Sequence, residues 1–454
     1  MSRARVLLLL IAVVPACSFR SPDAAGDGSL GDDDAPLDVA PTRCDLAPTW
    51  EAGKQPTKTI YISKTPGPGT PDGSQTNPYT SLGAATSAIT AGTRIILGPG
   101  DFGGTTFSDK QGTADAPIWL EGPESGPPAR LVGSLGGGLH LIGAQYWVIR
   151  NLAIASLSGQ AGINVDDTSG VGKPHHIVVD HVSVGSTDRP CFQFSGVTDV
   201  TIRDSKLGSC DRGVMMVGVQ RATIARTSIG GMQSAGIAMA AGSADIEVRQ
   251  NQISDIQGGR GVWIGGDSTL NEFRPPLSAA NGNTEATNIR VFDNVILNVR
   301  DAIECGICTN SLVAHNLLRD VSRYVLNLTQ PYTSINSYSF ARAGGVRFVN
   351  NAIEGAVTGE AVASATDTEP ATCRFSYNIW YRPLGTWDLM LPSTEEGGIH
   401  DKQSGYFNDG SLCKGSSSPA IGAGTSLPAV DGTLSGACRP SPRSIGPSEP
   451  DPGC

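Results

Sequence analysis

The sequence predicts an all-β solenoid, a parallel β-helix of about eleven stacked coils. Three observations predict it. First, one short pattern recurs nine times: an apolar residue, two spacers, a turn residue, one spacer and an apolar residue. The apolar pairs are Ile149/Ile154, Val179/Val184, Ile202/Leu207, Ile224/Ile229, Val248/Ile253, Val291/Ile296, Val313/Leu318, Phe348/Ile353 and Phe375/Trp380. Successive copies lie 30, 23, 22, 24, 43, 22, 35 and 27 residues apart, a basal step near 22 with insertions. Second, Asn251, Asn294, Asn316, Asn351 and Asn378 share the turn position, with Ser205 and Thr227 in the same column. Third, 57 Gly, 30 Pro and only 17% charged residues suit many short strands rather than long helices.

The pattern has a physical reading. A single coil cannot bury its apolar residues, whereas stacked coils can, with strands roughly 4.7–4.9 Å apart. Asn tolerates left-handed backbone, and its amide can bond to the Asn one coil away, so the column is expected to form a ladder.

In chain order, residues 1–16 are expected to be a secretory signal. Arg3 and Arg5 form its positive end, and the apolar run of residues 6–14 is too short to span a bilayer. Residues 14–17 resemble a lipobox in which Cys17 would be lipidated; Pro15 departs from the usual pattern and leaves ordinary cleavage after Ala16 open, and the polar stretch that follows favours the lipoprotein. Residues 17–49 are then a disordered, Asp-rich tether, and the chain is expected at the outer membrane or cell surface. Residues 50–384 form the β-helix. A short helix within residues 79–91, with Leu82, Ala85 and Ile89 on one side, caps the first coil, because an open end would expose strand edges. Residues 385–454 lose the repeat and close the last coil.

The net charge of −10 becomes −12 without Arg3 and Arg5, and the tether accounts for much of it. An acidic domain excludes nucleic acid as a partner, because phosphate binding needs a basic face. Nothing in the composition calls for a second copy, and a monomer is expected. Nine cysteines follow Cys17. In an exported protein they suggest disulfides: Cys191 with Cys210 about one coil away, Cys305 with Cys308 in a small loop, and Cys413 with Cys438 across the closing segment. Cys44, Cys373 and Cys454 have no partner assigned.

Particular stretches resemble a known superfamily. Tyr61-Ile62-Ser63 through Asn77-Pro78-Tyr79, then residues 93–102, resemble the N-terminal cap and first strand of the right-handed parallel β-helix superfamily that includes pectate lyases and chondroitinase B-like and alginate lyases. Residues 112–118 with Leu120-Glu121-Gly122 are similar to the next coil of that superfamily. Ser418-Pro419-Ala420-Ile421-Gly422-Ala423-Gly424, Asp431, Arg439 and Ile445-Gly446 are similar to its closing segment. The resemblance implies that the strand before the variable loops lines a polysaccharide groove.

That strand carries an outward column of His140, Asn164, Gln193, Met215, Ala238, Trp263 and Glu304. Just before it runs a band of Asp188, Arg189, Asp211, Arg212, Arg260, Arg300, Asp301 and Arg323. Insertions at 166–176, 266–288 and 329–345 follow it, and Phe273, Arg274, Tyr332, Tyr338, Phe340 and Arg342 within them suggest a binding edge. Arginine forks suit carboxylates or sulfates, and Trp263 offers a flat face to a sugar ring. The substrate-binding candidates are therefore Arg189, Arg260, Trp263, Arg300, Arg323, Asn164 and Gln193.

A lyase acting on a uronate polymer must neutralise the carboxylate, remove the neighbouring proton and assist the leaving oxygen. The catalytic candidates are Arg212 for neutralisation, Lys173 as base, and Asp211 with Glu304 as the pair a hydrolase would need. Lys206 and His176 are further candidates for the base. Asp166 and Asp167 are the candidates to hold calcium, an oxygen-seeking cation. The first functional expectation is a carbohydrate-active surface protein, with a polysaccharide lyase ahead of a hydrolase. The alternative is a non-catalytic glycan-binding, adhesive or structural protein.

Overall fold

The computed structural model describes residues 44, 48–133, 138–155, 159–168, 173–266, 268–279, 282–355, 360–383, 389–406, 417–427 and 430–449. The expected signal, the expected lipidation position Cys17, most of the expected tether, Cys413 and Cys454 lie outside the described residues. No helix among the described residues is long and apolar enough to cross a membrane.

The described chain winds into coils whose strands stack in parallel on three faces. The first face is a thirteen-stranded sheet running from Lys58–Ile62 and Thr93–Leu97 through Ser243–Arg249 to Arg374–Ser376. The second and third faces merge into a nineteen-stranded sheet. They merge because Gln252–Ile264, Val295–Gly306 and Leu317–Thr329 each run as one strand around the corner between them. Each coil thus carries up to three short strands, with two of them fused in the middle of the solenoid.

The core follows from strict alternation within these strands. On the third face Phe192, Val214, Ile237, Val262 and Ile303 stack in register, and so do Phe194, Met216, Met239, Ile264 and Cys305. All ten are fully buried. Each large apolar side chain so placed contributes about 1.5–3 kcal/mol by leaving water, and a coil gains it only when its neighbours are present. Coils approach closely just before this strand. A Cβ built on Gly236 would sit 2.6 Å from the carbonyl oxygen of Gly261 and 2.6 Å from Ile253 Cγ2, so only glycine fits there.

The turn column forms the expected ladder. Each amide Nδ2 donates to the next Oδ1: Asn251 to Asn294 at 3.0 Å, Asn294 to Asn316 at 3.0 Å, Asn316 to Asn351 at 2.9 Å and Asn351 to Asn378 at 3.1 Å. The left-handed backbone, however, belongs to the residue before each Asn. Gln250, Asp293, His315, Asn350 and Tyr377 have φ of 58°, 56°, 54°, 57° and 52°. That residue turns the chain from the first face to the second. The Asn that follows is buried at the corner, where its amide bonds the backbone that the turn leaves unpaired.

Both ends are covered. Leu82–Ala85 is helical and continues as the 3-10 turn Thr86–Ala88, with Ser81 Oγ accepting from the Ala84 amide at the N-cap. Leu82, Ala85 and Ile89 face the core, as the spacing predicts. At the other end Glu395 accepts from Asn378 Nδ2 at 2.8 Å and from Trp380 Nε1 at 2.9 Å.

The closing segment does more than cover the last coil. Tyr406, Ala420 and Ile445 pack on Val295, Leu317, Ala352 and Ile379, while Leu427 and Val430 pack on Phe292, Ala314 and Val349. These apolar residues point outward on both sides of the turn corner, so the segment runs back along the solenoid to cover them. Its course brings Cys438 to Cys44, with Cα atoms 4.9 Å apart in a disulfide. Cys438 therefore does not pair with Cys413 as the spacing suggested. Thr49, ahead of residue 50, also packs on the solenoid: Arg203 donates to its Oγ1 at 2.9 Å. The other two disulfides form as predicted, Cys191–Cys210 between neighbouring coils and Cys305–Cys308 within one.

Candidate functional site

The strand register places the predicted outward column in one continuous ladder. His140, Asn164, Gln193, Met215, Ala238, Trp263, Glu304 and Asn327 align coil by coil along the third face. Insertions leave the ends of these strands, as expected, and two of them pack together into a wall beside the ladder. Phe273 and Phe340 are 2% and 6% exposed, with ring centroids 5.7 Å apart, and Tyr332 meets Phe340 edge-on at 4.7 Å. Buried Glu285 ties the wall down by accepting from the Ala241 amide at 2.7 Å and Ser268 Oγ at 2.6 Å. The loop aromatics expected to face a ligand are thus spent on a satellite core, because adjacent insertions from one corner bury each other's apolar residues. Arg274 reaches back to Asp167 at 3.5 Å.

The centre of the ladder is the most developed. Arg260 makes a two-point ion pair with Glu304, Nε to Oε2 at 2.8 Å and Nη2 to Oε1 at 3.1 Å. Its guanidinium lies 4.2 Å from the Trp263 ring centroid, and that of Arg212 lies 5.8 Å from it. Arg212 is held by Asp211 at 2.9 Å, and Asn327 Nδ2 donates to Glu304 at 3.3 Å. Arg212, Met215, Ala238, Trp263, Ser268 and Glu272 line a hollow of 170 Å³ between ladder and wall. It is smaller than a pocket that encloses a whole ligand and suits part of a chain lying across the surface. Arg212 Nε and Trp263 Nε1 are buried with no hydrogen-bond partner among the described residues.

The predicted catalytic residues do not converge. Lys173 is exposed at the start of a first-face strand, whereas Arg212 opens a third-face strand. Arg212 aligns with Ala235, Arg260 and Asp301 on successive coils. Asp211 and Glu304 therefore stand three coils apart, roughly 14 Å at the strand spacing, beyond the about 5–9.5 Å of a hydrolase pair. Among the binding candidates, Arg300 is engaged by fully buried Asp301 at 2.7 Å, Arg323 lies over the Tyr324 ring at 4.5 Å, and Arg189 is exposed. The arginines form a band along the face rather than one cationic pocket.

Asp166 and Asp167 do not fit a calcium site. Asp166 Oδ2 meets His140 Nε2 at 2.7 Å and Asn164 Nδ2 at 3.0 Å, and its Oδ1 accepts from Thr168 Oγ1 at 2.8 Å. Asp167 instead faces Arg274. Burial pushes the Asp166 carboxyl up, but the hydrogen bonds from His140 and Thr168 outweigh it and hold it below the ordinary carboxylate value. The sequence placed His140 in the column without assigning it a role. The signal was Asp166, two residues beyond Asn164 on the same side of its strand. Asp180, His181 and Asp204 also bring ligand atoms within 4.8 Å of one another. Arg203 and Arg226 already engage those carboxylates at 2.9 and 2.6 Å.

A larger hollow of 640 Å³ lies on the first face beside Trp50. Its charges are matched internally, as in the two-point pair of Arg221 with Asp199 at 2.8 Å.

Residues 133–275 match the family profile described as right handed beta helix region, less than a third of the chain. No curated protein sequence matches the chain. Among solved structures, the pectate lyase Pel9A is 12% identical with a TM-score of 0.50, over 88% of this chain and 98% of that one. A rhamnogalacturonan lyase is 11% identical with a TM-score of 0.51, over 71% and 87%. XylC in complex with xylose is 9% identical with a TM-score of 0.51, over 86% and 98%. Stacked parallel coils, the matched profile and these likenesses together make the chain a right-handed parallel β-helix, the fold of polysaccharide lyases.

Proposed function

We propose that this protein binds an acidic polysaccharide along the third-face groove. One observation carries the reading. Arg212 and Trp263 line the central hollow, and each carries a buried N–H group with no acceptor among the described residues. A buried donor left unpaired costs about 1–3 kcal/mol, and the carboxylate or sulfate oxygens of an acidic sugar would supply the acceptor. Arg212 and Arg260 hold one register position two coils apart, a spacing that matches a polymer rather than a single sugar. The fold shared with a pectate lyase and a rhamnogalacturonan lyase supports a carbohydrate-related role. The acidic stretch ahead of Cys44 supports a tethered protein that holds its groove clear of a surface through lipidated Cys17.

The test is affinity electrophoresis of the full chain in gels containing polygalacturonate, alginate, chondroitin sulfate or a neutral galactan. Retardation is expected with at least one acidic polymer, weakened about tenfold by Trp263→Ala combined with Arg212→Ala, and reduced by salt. Migration unchanged by every acidic polymer, or equal retardation by the neutral one, would refute the proposal.

A further inference from the structure

We infer that His140 is a general base acting on a uronate residue bound at the N-terminal end of this groove, with Asp166 as its positioning residue. The inference rests on the binding reading above and adds a reaction to it. His140 stands on the outward ladder with its side chain 23% exposed, and the carboxylate that meets its Nε2 is only 10% exposed. That carboxylate is fixed in turn by Asn164 Nδ2 and Thr168 Oγ1. An ionised acceptor at Nε2 requires the proton there, which leaves Nδ1 as the bare, basic nitrogen. The arrangement repeats the logic of any histidine whose second nitrogen is oriented by a buried carboxylate.

Two neighbours point to a ligand. Asn164 Oδ1 is buried with no hydrogen-bond partner among the described residues, because the Asn164 amide nitrogen is turned to Asp166. Gln193 is the next residue on the ladder. Arg274 brings a guanidinium to this end of the groove through its contact with Asp167. A hydrolase would need paired carboxylates across the bond, and Asp166 is committed to His140. A base beside a cation suits proton removal next to a carboxylate instead. In that step the C5 proton of the uronate passes to His140 Nδ1. The C–H electron pair forms the C4–C5 double bond, the C4–O4 bond breaks, and the leaving oxygen takes a proton from water.

The full chain, His140→Gln and Asp166→Asn are compared for polymer binding, for unsaturated ends by ultraviolet absorbance across pH, and for the His140 tautomer by nitrogen-15 NMR. Expected are unsaturated ends from the native chain, a loss of at least about 10²-fold in His140→Gln and binding kept within about threefold. Asp166→Asn should lower the rate, alter its pH profile and shift the proton toward Nδ1. A native His140 already protonated on Nδ1 at neutral pH would overturn the inference without reference to any polymer. Binding without unsaturated ends would overturn it and leave the binding reading standing. Failure to bind any acidic polymer would overturn both.

Discussion

Asn294→Ala should destabilise the protein far more than its modest change in size suggests. The Asn294 amide nitrogen donates to Val248 O at 2.8 Å, Phe292 O at 3.0 Å and Asn316 Oδ1 at 3.0 Å. Its oxygen accepts from Asn251 N at 2.9 Å and Asn251 Nδ2 at 3.0 Å. Some partners have a second bond: Asn251 Nδ2 keeps Ile224 O, and Asn316 Oδ1 keeps the Asn294 amide. Phe292 O keeps Gln250 N. The sharpest loss is therefore the acceptor of the buried Asn251 backbone amide, at about 1–3 kcal/mol. We expect about 1–3 kcal/mol, against less than about 0.5 kcal/mol for Gln252→Ala, an exposed change at the same corner. Asn294→Asp keeps the size and the acceptor but loses the donors, so it should cost at least as much as the alanine. The assay is urea unfolding of the full chain followed by circular dichroism, comparing midpoints at equal slope. If Asn294→Ala and Gln252→Ala unfold at the same midpoint, the ladder contributes no more than a surface residue and the reasoning fails.

Further predictions follow from the same contacts. Gly236→Val should prevent or severely weaken folding, read as loss of soluble protein, because its Cβ meets the backbone of the next coil. Removing the Cys44–Cys438 link by Cys44→Ser should lower stability by about 2–5 kcal/mol in denaturant titrations, since it closes a separation of 394 residues. Asp293, fully buried against Arg439, has its carboxyl pushed up to about 6 by burial, more than Arg439 pulls it down. Its folded value lies above its unfolded one, so its contribution is greatest below about pH 4 and is lost as pH rises through about 6. Asp293→Asn should flatten the pH dependence of the unfolding midpoint in that window. Asp166 has the opposite sign: its depressed carboxyl contributes above the unfolded value and loses that contribution as the medium is acidified through the folded one. Asp166→Asn should therefore reduce the loss of stability on acidification below about pH 4.

The fold was legible because its determinants repeat. Ile224, Val248, Val291 and Val313 recur at the same place in successive coils, and the spacing of the apolar pairs sets each register. The outward ladder from His140 to Glu304 followed from alternation alone. What repetition does not encode was harder to read. The closing segment has no period, so its course over Phe292 and Val295 to Cys44 depends on outward apolar residues that resemble surface drift in one dimension. The site divides along the same line. Arg260 and Glu304 meet because neighbouring coils are fixed in register, which sets Arg260 opposite Asp301 and Trp263 opposite Glu304. Lys173 and Arg212 do not, because a loop residue on one face says nothing of its distance from another. Phe273 and Phe340 illustrate the third case: an aromatic in an insertion reads as a ligand contact until a second insertion is seen to cover it.

Hydrogen exchange of the full chain with and without a saturating acidic oligouronate tests the groove most directly. Slowed exchange is predicted in the wall, over residues 265–279, and at Arg212–Val217, while the first-face hollow beside Trp50 stays unchanged. Protection confined to the Trp50 hollow, or spread evenly over both faces, would contradict the account.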